Sequence, residues 1–408
     1  MNVLKKSTKP KHLMVLQPQF SRTGSARLLG SFLGTTGIGE AVDWKKEIWA
    51  GLPGELDLVA SAAGALHLLG PAWAHRQGKL SRLGMRLWWE PVMLPLLLRR
   101  LRRASVHADL VLANTVANFP ALEALDANVP LVVFVHELEL SIMRLLAEGK
   151  ADWLFRRACA LIVPSQAAAD DLMRWHGVEK NKITVIHPWL CPRRGEVVGA
   201  AGGEYAPVED ASGRDSAKKN LGLPPDGRLV LGCGYADWVK GPDLFIDAVS
   251  ELARDRAFDD SRFVWVGLTG DPEISKFLQG YARHRGIEDR LSFIGATRQL
   301  DDWLRAADAV ALTSRAESFS LVALEAACAG TPVAFFQAAA GPAEFLSPPL
   351  GWGTKELSGE GMAKALRGAL AVVKDGEAVR AAVVELRARY DEAQQVVKVW
   401  AELEKHAR

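Results

Sequence analysis

Short apolar runs alternate with longer amphipathic stretches along most of this chain. In the first half the runs are His12–Gln17, Asp109–Ala113, Pro130–Val135, Ala160–Val163 and Ile183–Ile186. In the second half they are Arg228–Gly232, Phe263–Val266, Leu291–Ile294, Ala309–Leu312 and Pro332–Phe336. Runs that are apolar throughout, without an alternating polar face, fit strands covered on both sides. Between them, stretches such as Asp243–Leu252 and Ile274–Arg283 carry helical spacing. Strand and helix in strict turn imply parallel sheets with helices on both faces.

The pattern breaks once. From Arg193 to Asn220 the chain is rich in glycine, small and charged residues with no apolar period, which reads as an interdomain connection plus surface loop. This predicts an α/β protein of two doubly wound, Rossmann-like domains. The first covers residues 1–192, the linker 193–214, and the second 215–390, with a terminal helix at about 391–408 crossing back onto the first. In doubly wound domains ligands collect at the carboxyl ends of the strands, here in a cleft between the two.

The length of 408 residues agrees, since it suggests about two or three domains. Hydrophobic content of 49% and charged content of 24% are those of a globular protein, and a net charge of +2 gives no reason to expect nucleic acid. Cys159, Cys191, Cys233 and Cys328 are scattered, which fits reduced thiols and no disulfide framework. The basic amino end lacks the apolar core of a signal peptide, and the uncharged stretch Leu58–Ala74 is too diluted by Gly, Pro and His to span a membrane. That stretch reads as a buried strand and turn followed by loop or helix. The expected location is the cytoplasm.

The chemistry concentrates between Ala307 and Val333. Ala309–Leu312 reads as a strand, Arg315–Ser320 as a loop, and Leu321–Ala329 as a small packed helix closed by Gly330 and Pro332. Glu317 falls in the loop and Glu325 inside the helix, among apolar neighbours that imply burial. A helix start offers unpaired N–H groups and a positive dipole end, hence a phosphate seat. Two acids beside such a seat suit a nucleotide-linked substrate with hydroxyls at both ends. The plain alternative is a solvated loop acid and a helix-surface acid.

Three further strings sit at strand ends. Leu231-Gly-Cys-Gly234-Tyr235-Ala-Asp-Trp-Val-Lys240-Gly241 runs from a strand through glycines to a lysine before a helix, an arrangement that can hold phosphate or be an ordinary turn. Thr23-Gly24 opens the first helix. His136 follows the Pro130–Val135 run, placed for a ligand or for a core histidine with one backbone partner. No second His or Cys lies at ligand spacing, so no metal is expected.

Together these residues resemble the retaining glycosyltransferases of family 4, which have the GT-B fold. Glu317 and Glu325 match the family's glutamate–seven residues–glutamate motif, and Lys240-Gly241 its Lys-Gly turn. Phe293-Ile-Gly295 and Trp303-Leu-Arg-Ala-Ala-Asp308 match the pattern between; Thr23-Gly24, Ala113-Asn114-Thr115, His136-Glu137 and Ile162-Val-Pro-Ser165 match in the first half. The resemblance implies that Glu325 holds the ribose of a nucleotide-sugar and Glu317 lies near the donor sugar. It implies that Lys240, Gly241 and the backbone of Ser318, Phe319, Ser320 and Leu321 hold the diphosphate. Ile294, Gly295, Ala296 and Thr297 would lie beside the base. Thr23, Gly24 and His136 would face the sugar and acceptor. No cofactor is implied beyond the donor itself; the acceptor would be a glycan or lipid-linked acceptor, in surface polysaccharide assembly. The reaction expected is sugar transfer with retained configuration, with Glu317, His136 and Lys240 in the catalytic roles.

One position departs from the pattern. The family carries an arginine five residues before the lysine, where this chain has Tyr235. Arg298 and Arg315 are substitutes by position. A lapsed member that binds nucleotide-sugar or glycan without turnover, or a sugar-nucleotide epimerase, are the other readings. Separately, Trp88 to Arg103 joins paired tryptophans, an apolar run and four arginines, which suits peripheral contact with an anionic membrane at its inner face. A core helix with a solvated arginine end is the alternative. First-domain loops at Gly37–Gly54 and Leu69–Met85 are where specificity is expected.

Overall fold

The structure, a computed structural model, describes residues 10–21, 23–35, 44–69, 93–119, 121–191, 211–268, 271–374 and 376–408. The chain divides into two compact units, Met1–Gly203 with Glu392–Arg408, and Glu204–Asp391.

The first unit holds a seven-stranded sheet. Its strands are β1 (Lys11–Gln19), β2 (Trp44–Leu52), β3 (Ala65–Leu68), β4 (Leu110–Asn114), β5 (Leu131–Phe134), β6 (Ala160–Val163) and β7 (Ile183–Val185), in the order β3-β2-β1-β4-β5-β6-β7. All pairings are parallel. β4, β5 and β6 are buried along their whole length, which is why they read as unbroken apolar runs. Order reverses between β1 and β4, so the loops leaving these neighbours go to opposite faces and leave a crevice at their carboxyl ends.

The second unit repeats the plan with six strands: β8 (Arg228–Cys233), β9 (Ser261–Val266), β10 (Leu291–Ile294), β11 (Ala309–Leu312), β12 (Val333–Phe336) and β13 (Gly351–Thr354). They run β10-β9-β8-β11-β12-β13, again all parallel, and the reversal lies between β8 and β11. Phe245, Ile246 and Val249 of the Pro242–Ala253 helix pack into the core with Phe263, Trp265 and Met362.

The last helix, Glu392–His406, belongs to the first unit. It buries Val396, Val399, Trp400 and Leu403, with the Trp400 ring 4.5 Å from Phe32 and 5.9 Å from Trp44. Glu404 accepts from Trp44 Nε1 and Lys11 Nζ, each at 2.7 Å.

Three sequence expectations fail. Residues 44–52, expected as loop, form β2; its Lys46 and Glu47 disguise the strand because they are satisfied inside the unit. Lys46 Nζ donates to Leu33 O at 2.8 Å, and Glu47 takes Trp49 Nε1 at 2.9 Å and lies 3.0 Å from His12 Nε2. In the 58–74 stretch the order is helix first (Asp57–Ala63), then β3, with Leu58 exposed. The expected loop up to residue 220 ends in a helix, Ala211–Asn220, whose Lys218 buries its ammonium against the carbonyls of Pro225 (2.7 Å) and Gly227 (3.1 Å). The rest of the expected linker, residues 193–210, and most of Leu69–Met85 lie outside the described residues, as do Trp88 and Trp89.

Candidate functional site

In the second unit the loops that leave β8 and β11, the two strands flanking the reversal, are laced together. Lys240 Nζ reaches Glu317 Oε2 at 2.5 Å, and Ser314 Oγ reaches the same oxygen at 3.1 Å. Thr313 Oγ1 donates to Lys240 O at 3.0 Å. Gly241 permits this approach: it stands in the left-handed region (φ 64°), and a Cβ there would lie 2.3 Å from Thr313 O. Burial works to lower the pKa of Lys240. The Glu317 carboxylate, its hydrogen bond and Asp237 outweigh burial, so the pKa ends above the ordinary lysine value and the ammonium stays charged.

Ser320 then starts the helix Leu321–Cys328, its Oγ accepting from Ala323 N at 3.3 Å. The first-turn N–H groups of such a helix have no intrahelical acceptor. Phe319 anchors the turn from below, stacked on Phe345 at 4.6 Å and edge-on to Tyr390 at 5.4 Å. Ser318 and Glu317 back onto Gly341, whose N–H donates to Glu317 O at 3.0 Å. Glu325 is 3% exposed, as its apolar neighbours required. At the other end, Gly330 N pairs with Ala327 O and Thr331 N with Ala326 O, both at 2.9 Å, which closes the helix where Gly330 and Pro332 predicted. Ile294 to Thr297 continue from β10; the N–H groups of Gly267 and Leu268 both donate to Ile294 O at 2.9 Å, which ties that loop to the one after β9.

Of the two expected substitutes for the missing arginine, Arg315 is already engaged. Arg315 is committed to Asp243 through two bonds, Nη1–Oδ1 at 3.0 Å and Nη2–Oδ2 at 2.5 Å, and to Trp238 O at 2.6 Å. Arg298 is exposed on the loop after β10. Tyr235, at the departing position, is 48% exposed.

The first unit has its own cluster at the β1/β4 reversal. His136 Nε2 lies 2.7 Å from Asn114 Oδ1, and Asn114 Nδ2 donates to Gln17 Oε1 at 2.7 Å and Ser25 O at 3.1 Å. An amide oxygen only accepts, so with this amide orientation the histidine proton sits on Nε2. The ring stacks on Phe134 at 4.3 Å. Burial pulls the His136 pKa down to about 3, so the ring is neutral at working pH. Glu137 accepts from His136 N at 3.0 Å; burial lifts its pKa, while Thr115 and the N–H groups of Val116 and His136 pull the other way. Thr23 and Gly24 open the Gly24–Gly34 helix, with no side-chain cap from Thr23.

Two family models match in chain order. The Glycosyltransferase Family 4 model covers residues 50–194, and the Glycosyl transferases group 1 model covers residues 213–394. The chain belongs to this glycosyltransferase family. Among its relatives, a D-inositol 3-phosphate glycosyltransferase of Xylanimonas cellulosilytica is 35% identical over 43% of this chain and 39% of the relative. One of Streptomyces avermitilis is 31% identical over 68% of this chain and 55% of the relative. The chain thus spans about half or less of the curated relatives' length. The crystal structure of HepE from Anabaena in complex with UDP and glucose has a TM-score of 0.71 at 18% identity, over 97% of this chain and 99% of that one, a likeness of GT-B fold.

In the second unit, Lys240, Gly241, Glu317 and Ser318 to Leu321 come together at one sheet reversal. Thr23, Gly24 and His136 gather at the other, in the other unit. Sequence reasoning missed Ser314, Asp243 and Gln17 as partners, and took Asn114 only as part of a string. Their signal was positional: each stands on or just past a strand at a reversal, or in the first turn of the helix after it. Among the described residues no group of three or more His, Cys, Asp or Glu is placed to hold a metal ion.

Proposed function

We propose that the chain transfers a sugar from a nucleotide-sugar donor to a hydroxyl of a glycan or lipid-linked acceptor, with retained configuration and without a metal, in assembly of surface polysaccharide. The observation that carries this reading is the Lys240 ammonium held at the start of the Leu321–Cys328 helix by Glu317. An incoming diphosphate replaces Glu317 as partner of Lys240, and the helix N–H groups complete the seat. Sugar–phosphate cleavage builds negative charge on the leaving diphosphate, which this preformed positive end stabilises. Freed of Lys240, Glu317 accepts from donor sugar hydroxyls, and Glu325 from the ribose. Ile294, Gly295, Ala296 and Thr297 flank the base. His136, neutral with its proton on Nε2, serves the acceptor side with Thr23 and Gly24. The names of the relatives and the UDP and glucose of HepE support a nucleotide-sugar as donor.

The reading includes peripheral contact with an anionic membrane. The Leu94–Val106 helix exposes Leu96 together with Arg99, Arg100, Arg102 and Arg103, while Leu101 is buried. Among the described residues no helix is long and apolar enough to cross a membrane.

Tyr235 favours a second reading, a member that binds nucleotide-sugar without turnover. Nucleoside diphosphate release separates the two: donor binding with no release across a panel of donors and acceptors would replace the first reading by the second. A protein whose melting temperature is unmoved by any nucleoside diphosphate or nucleotide-sugar would remove both.

A further inference from the structure

Arg315 does not fill the place of the missing cation; it is spent elsewhere. Its guanidinium side chain is 13% exposed and takes Asp243 with both ends of its fork. The same Nη1 reaches Trp238 O, and the guanidinium carbon lies 4.8 Å from the centre of the Trp238 ring. Its main-chain N–H donates to Val239 O at 2.8 Å. Two residues earlier, Thr313 takes Lys240 O and abuts Gly241. The segment from Trp238 to Asp243, which carries Lys240, is therefore fastened at successive residues by Thr313 and Arg315, which stand in the loop just ahead of Glu317. Paired with Asp243, Arg315 adds no net charge to the phosphate seat, so its effect on the seat is geometric.

We infer that Arg315 is the positioning residue that fixes the Lys240 backbone opposite Glu317, so that a seat with one cation in place of two presents that cation in one place. The inference rests on the reading of Lys240 as the diphosphate ligand. A fork is needed because a single ammonium lacks the planar pair of donors that meets both carboxylate oxygens of Asp243 while a bond to Trp238 O is kept.

The test is calorimetric binding by the full chain of whichever of UDP, GDP and ADP the wild type binds tightest, with the corresponding nucleoside as the arm without phosphate. Arg315→Ala, Arg315→Lys and Asp243→Asn are compared with Lys240→Ala and the double variant Arg315→Ala/Lys240→Ala. Arg315→Ala and Arg315→Lys should each weaken diphosphate binding about tenfold and leave nucleoside binding unchanged. The double variant should bind no worse than Lys240→Ala alone, because Arg315 acts through Lys240. Wild-type affinity in Arg315→Lys with loss in Arg315→Ala would mean that charge alone matters, and would overturn the inference. So would additive losses in the double variant. If Arg315→Ala fails to fold, Asp243→Asn decides: unchanged diphosphate binding overturns the inference. Unchanged binding in Lys240→Ala would instead remove the reading on which it rests.

Discussion

Gly241→Ala separates conformational cost from displacement of the site. Gly241 has φ 64° and ψ 47°, and a Cβ there would meet Thr313 O at 2.3 Å. The left-handed conformation alone costs an alanine about 1–2 kcal/mol. The overlap adds to this, because the opposing atom is backbone at the end of β11 and relief requires the two loops to part by about 1 Å, given ordinary contact near 3.5 Å. That movement stretches the Thr313–Lys240 hydrogen bond and withdraws Lys240 from Glu317. Gly222 provides the control, since it shares the conformation (φ 67°) but has nothing within 4 Å of its Cβ position. Gly222→Ala should lose about 1–2 kcal/mol of stability and keep full activity. Gly241→Ala should lose about 2–4 kcal/mol and about a hundredfold in donor turnover, the scale of a 1 Å misplacement. Denaturant unfolding gives the first quantity and release of nucleoside diphosphate the second. Equal stability losses in the two variants, with turnover retained in Gly241→Ala, would refute the reasoning that the loops are pressed together to place Lys240.

Other outcomes follow from single groups. His136 has its pKa lowered to about 3 against 6.5 unfolded, so the unfolded chain binds its proton more tightly and stability falls as pH drops from about 6.5 towards 3, by up to about 1.4 kcal/mol per pH unit. His136→Gln should flatten that slope in unfolding titrations, and parallel curves would refute it. Glu137, whose pKa burial raises, runs the opposite way and costs stability as pH rises above the carboxylate range; left unchanged in both proteins, it does not mask the difference. Tyr235→Arg should tighten nucleoside diphosphate binding about three- to tenfold by calorimetry if this position faces the seat, and no gain would exclude it. The wild type should co-sediment with anionic vesicles at low salt and release in high salt. Retention after charge removal at Arg99, Arg100, Arg102 and Arg103 would dismiss the Leu94–Val106 helix as the contact.

The central strands were legible because both of their faces are covered, so burial writes itself as an unbroken apolar run; β4, β5, β6, β11 and β12 are of this kind. β2 was not, because Lys46 and Glu47 find partners within the unit that no local pattern announces. The helix at 211–220 was hidden by glycine and charge for the same reason: Lys218 is satisfied by carbonyls beyond its own helix. In the site, the loop position of Glu317 and the burial of Glu325 were legible because loop, helix start and acid lie within one short segment; the contact of Lys240 with Glu317 was not, since it joins residues 77 apart in sequence. The pairing of Arg315 with Asp243 was not, since it joins residues 72 apart in sequence. Asn114 likewise gains its meaning from Gln17, 97 residues away, and from His136.

The most direct test is nucleoside diphosphate release by the full chain from a panel of nucleotide-sugars with glycan and lipid-linked acceptors, for wild type and Lys240→Ala. The wild type should release nucleoside diphosphate with at least one donor–acceptor pair, and release should fall about 10²–10³-fold in Lys240→Ala, the scale of losing one preorganised charge at the leaving group. Release undiminished in Lys240→Ala would contradict the reading of Lys240 as the diphosphate ligand.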